Sequence, residues 1–318
     1  MKRFALAGNP NSGKTTLFNS LTGSSAHVGN WPGVTVEKKD GTYKKLKEPI
    51  SIIDLPGIYS LSPYTSEEVI ARNYLIDEKP DCVINIVDAT NLERNLYLTT
   101  QLLEIDVPLV VAINMMDILN KNGDILDISL LQEKLGVPVV EVSALKEDNL
   151  DELMKIAYKA SQEKRIGRSV FLNKDLTHLI GDVKIAFDGK GVDNPLFHSI
   201  KLIENDEVET KMHPELIKMV DEFKKTFKDD VFGDDIEAVI ADSRYKYITA
   251  EFQKALKRNK QEDIKMSQSD RIDRIMTHKV WGLFLFAIIL FLVFHLTFSE
   301  NFLFLGGLFK DVSLFVDR

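Results

Sequence analysis

Gly8, Gly13, Lys14 and Thr15 stand at the spacing G-x-x-x-x-G-K-[ST], in the stretch GNPNSGKT. These residue types at this spacing describe a phosphate cradle. Glycines let backbone N–H groups turn inward, a helix opening near Gly13 aims its positive end at the anion, and a lysine adds a point charge. Asn9, Pro10, Asn11 and Ser12 complete the loop, and Thr16 follows it. Lys14 is expected on the β- and γ-phosphates of a nucleotide, and the Thr15 hydroxyl on Mg²⁺. Further along, Asp54-Leu55-Pro56-Gly57 follows an apolar run, as a metal carboxylate should. Asp54 would act on Mg²⁺ or its water, and the Gly57 N–H would sense the γ-phosphate.

Two tetrads compete for reading the base: Asn85-Ile86-Val87-Asp88 and Asn114-Met115-Met116-Asp117. An aspartate there accepts hydrogen bonds from the guanine N1–H and exocyclic amine, which adenine cannot offer. Asn85 lies inside an apolar run, whereas Asn114 falls where a strand ends, the mouth at which such sheets bind ligands. Asn114 and Asp117 are therefore assigned, with Ser143 and Ala144 as the loop backing the base. The more usual motif carries lysine after its asparagine; Met115 gives up that stem over the base.

The segment 28–35, VGNWPGVT, lies where a nucleotide-sensing switch loop belongs. Gly33, Val34 and Thr35 are its γ-phosphate end, and Thr35 is the residue expected to close on Mg²⁺. Trp31 is unusual in such a loop, and local packing is its alternative role; the following proline restricts it. Hydrolysis poses a puzzle. Ras-like proteins place a water-orienting glutamine near the residue after D-x-x-G, but Ile58, Tyr59 and Ser60 stand here. The catalytic candidates read from the motifs are Lys14 and Thr35, with Glu67 or a partner as the next source of water activation.

The elements that position these residues follow from the pattern of apolar runs. Residues 4–7, 50–53, 83–87, 109–113 and 137–142 read as strands, and 15–21, 67–75, 92–104, 129–135 and 150–159 as helices. That alternation predicts an α/β P-loop GTPase domain, Ras- or translation-factor-like, with a mostly parallel sheet over 1–162. From about Arg165 the strand pattern stops, and 165–265 reads as a small all-α domain whose clearest helix is 236–257. A charged stretch suits a juxtamembrane linker at 266–279. The run 280–298, VWGLFLFAIILFLVFHLTF, has no formal charge and would make a helix about 28 Å long, close to a bilayer core. It reads as a transmembrane helix, with 299–318 as the start of an extracytoplasmic segment. Arg271, Arg274 and Lys279 precede it, which puts the N-terminal side in the cytoplasm. His295 is an ionisable group in that run, and solvation near the far interface is the preferred reading. His27 and His278 read as surface residues. The one cysteine, Cys82, reads as inert core. A net charge of −8 argues against a nucleic-acid partner.

Taken together the motifs resemble one family, the ferrous iron transport protein B (FeoB) of bacteria and archaea. The resemblance rests on GNPNSGKTTLFN at 8–19, VGNWPGVTVEKK at 28–39, DLPGIYSL at 54–61, VDATNLERNLYLT at 87–99 and NMMD at 114–117, with ADSRYKYI at 241–248. NWPGVT is its most specific element. The resemblance implies a G domain, a helical domain acting on GDP affinity, and a multi-span membrane region. It also implies slow, K⁺-stimulated hydrolysis of GTP, with Asn11 and switch-loop carbonyls near Gly29 and Trp31 holding the ion. The implied partners are GTP and GDP, membrane lipid and the remaining transmembrane part of an Fe²⁺ uptake transporter. A small cytosolic accessory protein and self-association are further ones. The chain would then be a piece of a longer protein. Two other readings stay open: a membrane-anchored regulatory GTPase, and an RNA- or ribosome-associated GTPase.

Overall fold

The computed structural model describes residues 1–23, 26–171, 173–258, 276 and 281–298. Strands and helices alternate from the start: β1 (Lys2–Gly8), α1 (Lys14–Thr22), β2 (His27–Asn30), β3 (Glu37–Tyr43), β4 (Ile50–Asp54), α2 (Ser66–Asp77), β5 (Cys82–Asp88), α3 (Leu92–Leu102), β6 (Leu109–Asn114), α4 (Met116–Lys121), β7 (Ile125–Leu126), α5 (Ile128–Leu135), β8 (Val139–Glu141) and α6 (Leu150–Ala160). Seven strands form one sheet in the order β2-β3-β4-β1-β5-β6-β8. β1 is parallel to β4 and β5, β5 to β6, and β6 to β8; β3 is antiparallel to both its neighbours.

The central strands are apolar on both faces because helices cover both. β5 and β6 are buried at every residue. On one face Phe4, Leu6, Ile84 and Val110 pack against Leu17 and Phe18 of α1 and Leu153 and Met154 of α6. On the other, Ala5, Val83 and Val111 meet Leu75 of α2, Leu96 of α3 and Leu131 of α5. Cys82 is fully buried, and burial pushes its thiol up, so it stays an unreactive core residue.

The hairpin of β2 and β3 was not among the expected strands. Its sequences, HVGN and EKKDGTY, carry no apolar run, because β2 is exposed throughout and β3 is buried only at Gly41 and Tyr43. Its register, His27 opposite Asp40 through Asn30 opposite Glu37, makes the first half of the expected switch loop an edge strand.

Five helices follow: α7 (Lys174–Gly189), α8 (Pro195–Ile203), α9 (Glu207–Met212), α10 (Pro214–Thr226) and α11 (Ile236–Phe252). Phe187, Ile200, Val220 and Ile240 sit in their shared core. α11 serves two cores: Ile236 and Ile240 belong to this cluster, whereas Tyr247, Ile248 and Phe252 lie in the core of the sheet. The helix predicted to reach residue 257 stops at Phe252, and β9 (Leu256–Lys257) pairs antiparallel with β7. The strand pattern therefore does not end at 165. Contacts gather residues 1–258 into one compact unit and 259–318 into a second.

Of the second unit, the helix α12 (Trp281–Phe298) is described. Its side chains are described from Gly282 to His295, about 21 Å of helix, and Leu283 to Phe294 include many exposed apolar residues. Among the described residues no helix is long and apolar enough to cross a membrane, and the run 280–298 expected to do so lies partly outside them. His295 packs edge-on against Phe291, with ring centroids 5.7 Å apart. Arg271, Arg274, His278, Lys279, Val280 and the segment 299–318 lie outside the described residues, as does the linker expected at 266–279 apart from Met276.

Candidate nucleotide-binding site

The loop between β1 and α1 is built from two left-handed residues, Asn11 (φ 64°) and Gly13 (φ 87°). Gly13 has a second reason to be glycine: a Cβ there would lie 2.1 Å from Asn114 Nδ2. The Ser12 N–H donates to the Asn9 carbonyl at 3.3 Å, which curls the loop. Asn9 Oδ1 and Ser12 Oγ are buried without a hydrogen-bond partner, an arrangement that a polar ligand in the loop would relieve. Asn9 Nδ2 donates to the Arg94 carbonyl on α3 at 3.4 Å. Pro10, Asn11 and Thr16 are exposed.

Three expected phosphate and metal residues come together. Lys14, 8% exposed, donates to Asp54 Oδ1, and Thr15 Oγ1 donates to Asp54 Oδ2 at 3.3 Å. Asp54 closes β4, and the chain then turns back on the cradle: the Leu55 N–H donates to the Leu6 carbonyl and the Ile58 N–H to the Gly8 carbonyl, both at 3.1 Å. A Cβ on Gly57 would lie 3.1 Å from Pro10 Cα, so glycine lets the chain pass close against the loop there. Hard oxygen donors on Thr15 and Asp54 suit Mg²⁺. Thr35 is not part of this group. It is exposed on the loop after β2, as are Gly33 and Val34, with the Val34 N–H donating to the Trp31 carbonyl at 3.3 Å. Gly29 is in β2 opposite Lys38. Trp31 is 9% exposed and meets Tyr74 of α2 edge-on at 5.6 Å, so packing accounts for its presence.

The base corner is cross-braced by Asn114. Its Nδ2 donates to the Ser12 carbonyl at 2.9 Å, and its Oδ1 accepts from the Ala144 N–H at 3.0 Å. One side chain thus ties the phosphate loop to the loop after β8. Met115 is left-handed (φ 63°) and starts α4, which brings Asp117 into the first turn. Ser143, 5% exposed, is locked by reciprocal backbone bonds with Asp148. The rival tetrad does something else: Asn85 donates to the Ala7 carbonyl at 3.3 Å and accepts from Thr99 Oγ1 at 2.6 Å, wholly inside the core.

Two stretches of the chain match models of one known family. The model for ferrous iron transport protein B matches residues 2–157, and the model for the FeoB cytosolic helical domain matches residues 173–257. The chain belongs to the FeoB family. It is 38% identical, over 93% of its length, to an Fe(2+) transport protein A/Fe(2+) transporter FeoB fusion protein of Porphyromonas gingivalis, and spans 37% of that relative. An Fe(2+) transporter FeoB of Salmonella typhimurium is 35% identical over 91% of this chain, again 37% of the relative. Among solved structures, a GDP-bound variant of the S. thermophilus FeoB G domain superposes with a TM-score of 0.74 at 40% identity, covering 81% of this chain and all of that one. The family's GTPase domain is therefore present, followed by its helical domain.

Family-like motifs mark the cradle but not its surroundings. Gln101 of α3 accepts from the Leu61 N–H at 2.6 Å and donates to Ser60 Oγ at 3.2 Å, which pins the segment after Gly57. From the helical part, Lys201 donates to Ser62 Oγ at 3.1 Å and to Glu204 at 2.7 Å. Arg94 stacks over Tyr59 at 4.4 Å. Ile58 is 2% exposed and points into the core, so it cannot orient water. Thr65 and Glu68 form a capping box that sets the start of α2, and Glu67 lies in its first turn, accepting from Ser66 Oγ at 2.9 Å. A polar residue whose partner lies 40 positions away, as for Gln101, or 139, as for Lys201, gives no local signal, which is why neither was among the expected residues.

Proposed function

We propose that the chain binds GTP and GDP and hydrolyses GTP, as the nucleotide-dependent part of a longer transporter that takes up ferrous iron. The observation that carries the nucleotide reading is Asn114, which holds the phosphate loop and the base-backing loop in one frame. In this reading the backbone from Gly8 to Gly13 and the first turn, Lys14, Thr15 and Thr16, hold the phosphates. Asn114, Met115, Asp117, Ser143 and Ala144 surround the base. Thr15 and Asp54 would hold Mg²⁺, joined by Thr35 when Gly33, Val34 and Thr35 close on the γ-phosphate sensed by Gly57. The bound ion supplies positive charge beside the transferring phosphoryl group.

The hydrolytic step is read as slow and K⁺-stimulated. Asn11 carries this: its exposed carboxamide is presented by a left-handed backbone at the loop tip, and no glutamine follows Gly57. Carbonyls near Gly29 and Trp31 would complete the ion's shell. Residues 1–162 and 165–265 are taken as the G and helical domains, on the cytoplasmic face of the cell membrane. Membrane lipid, the rest of the transporter, a small accessory protein and a second copy of the chain are its partners. The relative fused to Fe(2+) transport protein A supports the accessory protein.

Turnover of GTP measured in KCl and in NaCl at equal ionic strength tests the step. It should be higher in KCl, and Asn11→Ala should abolish the difference, the loss of one such contact being on the order of 10²–10³ in rate. Equal turnover in both salts would return Asn11 to shaping the loop. Asp117→Ala should erase the preference for GDP over ADP in calorimetry; an unaltered chain that binds both equally would overturn the guanine assignment.

A further inference from the structure

The base corner contains a cation that no motif names. Where the usual tetrad has lysine, this chain has Met115, so no charged side chain stands between Asn114 and Asp117 in sequence. Lys146, in the loop after β8, lies with its Nζ 3.4 Å from Asp117 Oδ2. The position of Lys146 is not accidental to the loop. Its N–H donates to Ser143 Oγ at 3.4 Å, Ser143 and Asp148 exchange backbone bonds at 3.3 and 3.1 Å, and Glu147 and Asn149 are both left-handed. That tight turn hangs from Ala144, whose N–H is held by Asn114. The same frame that orders the base-reading loop therefore delivers the ammonium to the base-reading carboxylate.

We propose that Lys146 is a specificity-determining residue of the guanine site, steering Asp117 so that both its oxygens face the base. A carboxylate has about four lone-pair sites, so one ammonium leaves room for the N1–H and the exocyclic amine together. Without the ammonium the carboxylate turns freely about its terminal torsion, which is broad, and two-pronged acceptance is lost before single acceptance. The pair is partly exposed, 56% for Lys146 and 24% for Asp117, so it contributes little to stability. Its effect falls on discrimination. The inference rests on the nucleotide reading above.

Titration calorimetry of the full chain with GDP, ADP and inosine diphosphate, which lacks the exocyclic amine, tests it. Lys146→Met should weaken GDP binding by about fivefold, the upper end for an exposed pair, and inosine diphosphate binding by less. The GDP-to-inosine ratio then falls, and Lys146→Arg restores it. If Lys146→Met keeps the ratio of the unaltered chain, while that chain still prefers GDP to ADP, the guanine site stands and Lys146 has no part in it. If the unaltered chain shows no preference for GDP over ADP, the reading beneath the inference falls with it.

Discussion

The nucleotide cradle and the seam between the sheet and the helices use the same ingredients to opposite ends. In the cradle a buried cation, Lys14, meets one carboxylate, Asp54, and the neighbouring Asn9 Oδ1 and Ser12 Oγ lack partners. In the seam each buried arginine bridges two carboxylates. Arg72 of α2 holds Asp206 and Glu209 at 2.6 Å each, and Glu209 also meets His198 at 2.8 Å. Arg244 of α11 holds Glu104 at 2.5 Å and Glu204 at 3.1 Å, and Glu204 in turn holds Lys201. A single pairing can be exchanged for a phosphate; a doubly bridged cation cannot leave without taking a partner from two acidic side chains at once. The difference separates a site made to be refilled from a joint made to stay.

Breaking the joint should give the largest effect. Arg244→Met strands the buried Glu104 and leaves Glu204 to Lys201 alone, and should cost about 3–5 kcal/mol in urea unfolding. Lys14→Ala should act the other way: GDP affinity falls about 10- to 100-fold, as for a lost hydrogen bond to a charged group, while the unfolding midpoint moves less than in Arg244→Met. If the two variants move the same observable, the contrast is wrong.

A gentler test uses pH. Burial pushes the Glu104 carboxyl up to about 7 despite Arg244 beside it, from an ordinary 4.5. The folded protein then keeps a proton that the unfolded chain has released, so stability is full below this range and declines as pH rises through it. Glu104→Gln should flatten that decline when unfolding is followed across pH 5 to 8. The smallest effect is expected at Gln101→Ala. It frees the buried Leu61 N–H, costing about 1–3 kcal/mol locally, and should read out as faster amide exchange over residues 60–62 with global stability nearly kept.

Legibility in the sequence divided along the same line as the chemistry. Lys14, Asp54 and Asn114 were singled out because contiguous motifs at strand ends name them, and the strands that carry them are buried on both faces. β2 and β3 were not, since an edge hairpin facing solvent needs no apolar alternation. β9 escaped because two residues make no pattern. The seam was silent too: Arg72 with Asp206, or Arg244 with Glu104, are pairs that only the fold brings together. In the sequence each looks like a charge on a solvated helix face.

The connector from α6 to α7 has a practical consequence. Arg165 donates to the carbonyls of Leu103, Ile105 and Val107, Gly167 N–H to Asp106, and Arg168 N–H to the Leu103 carbonyl. A Cβ on Gly167 would lie 2.2 Å from the Glu104 carbonyl oxygen, so the strip is bolted down along its length. Lys164, Arg165 and Arg168 would make an open tether an easy target for trypsin. Here the backbone cannot extend into a protease cleft without first surrendering those bonds, and nicking between the two halves should wait on global unfolding.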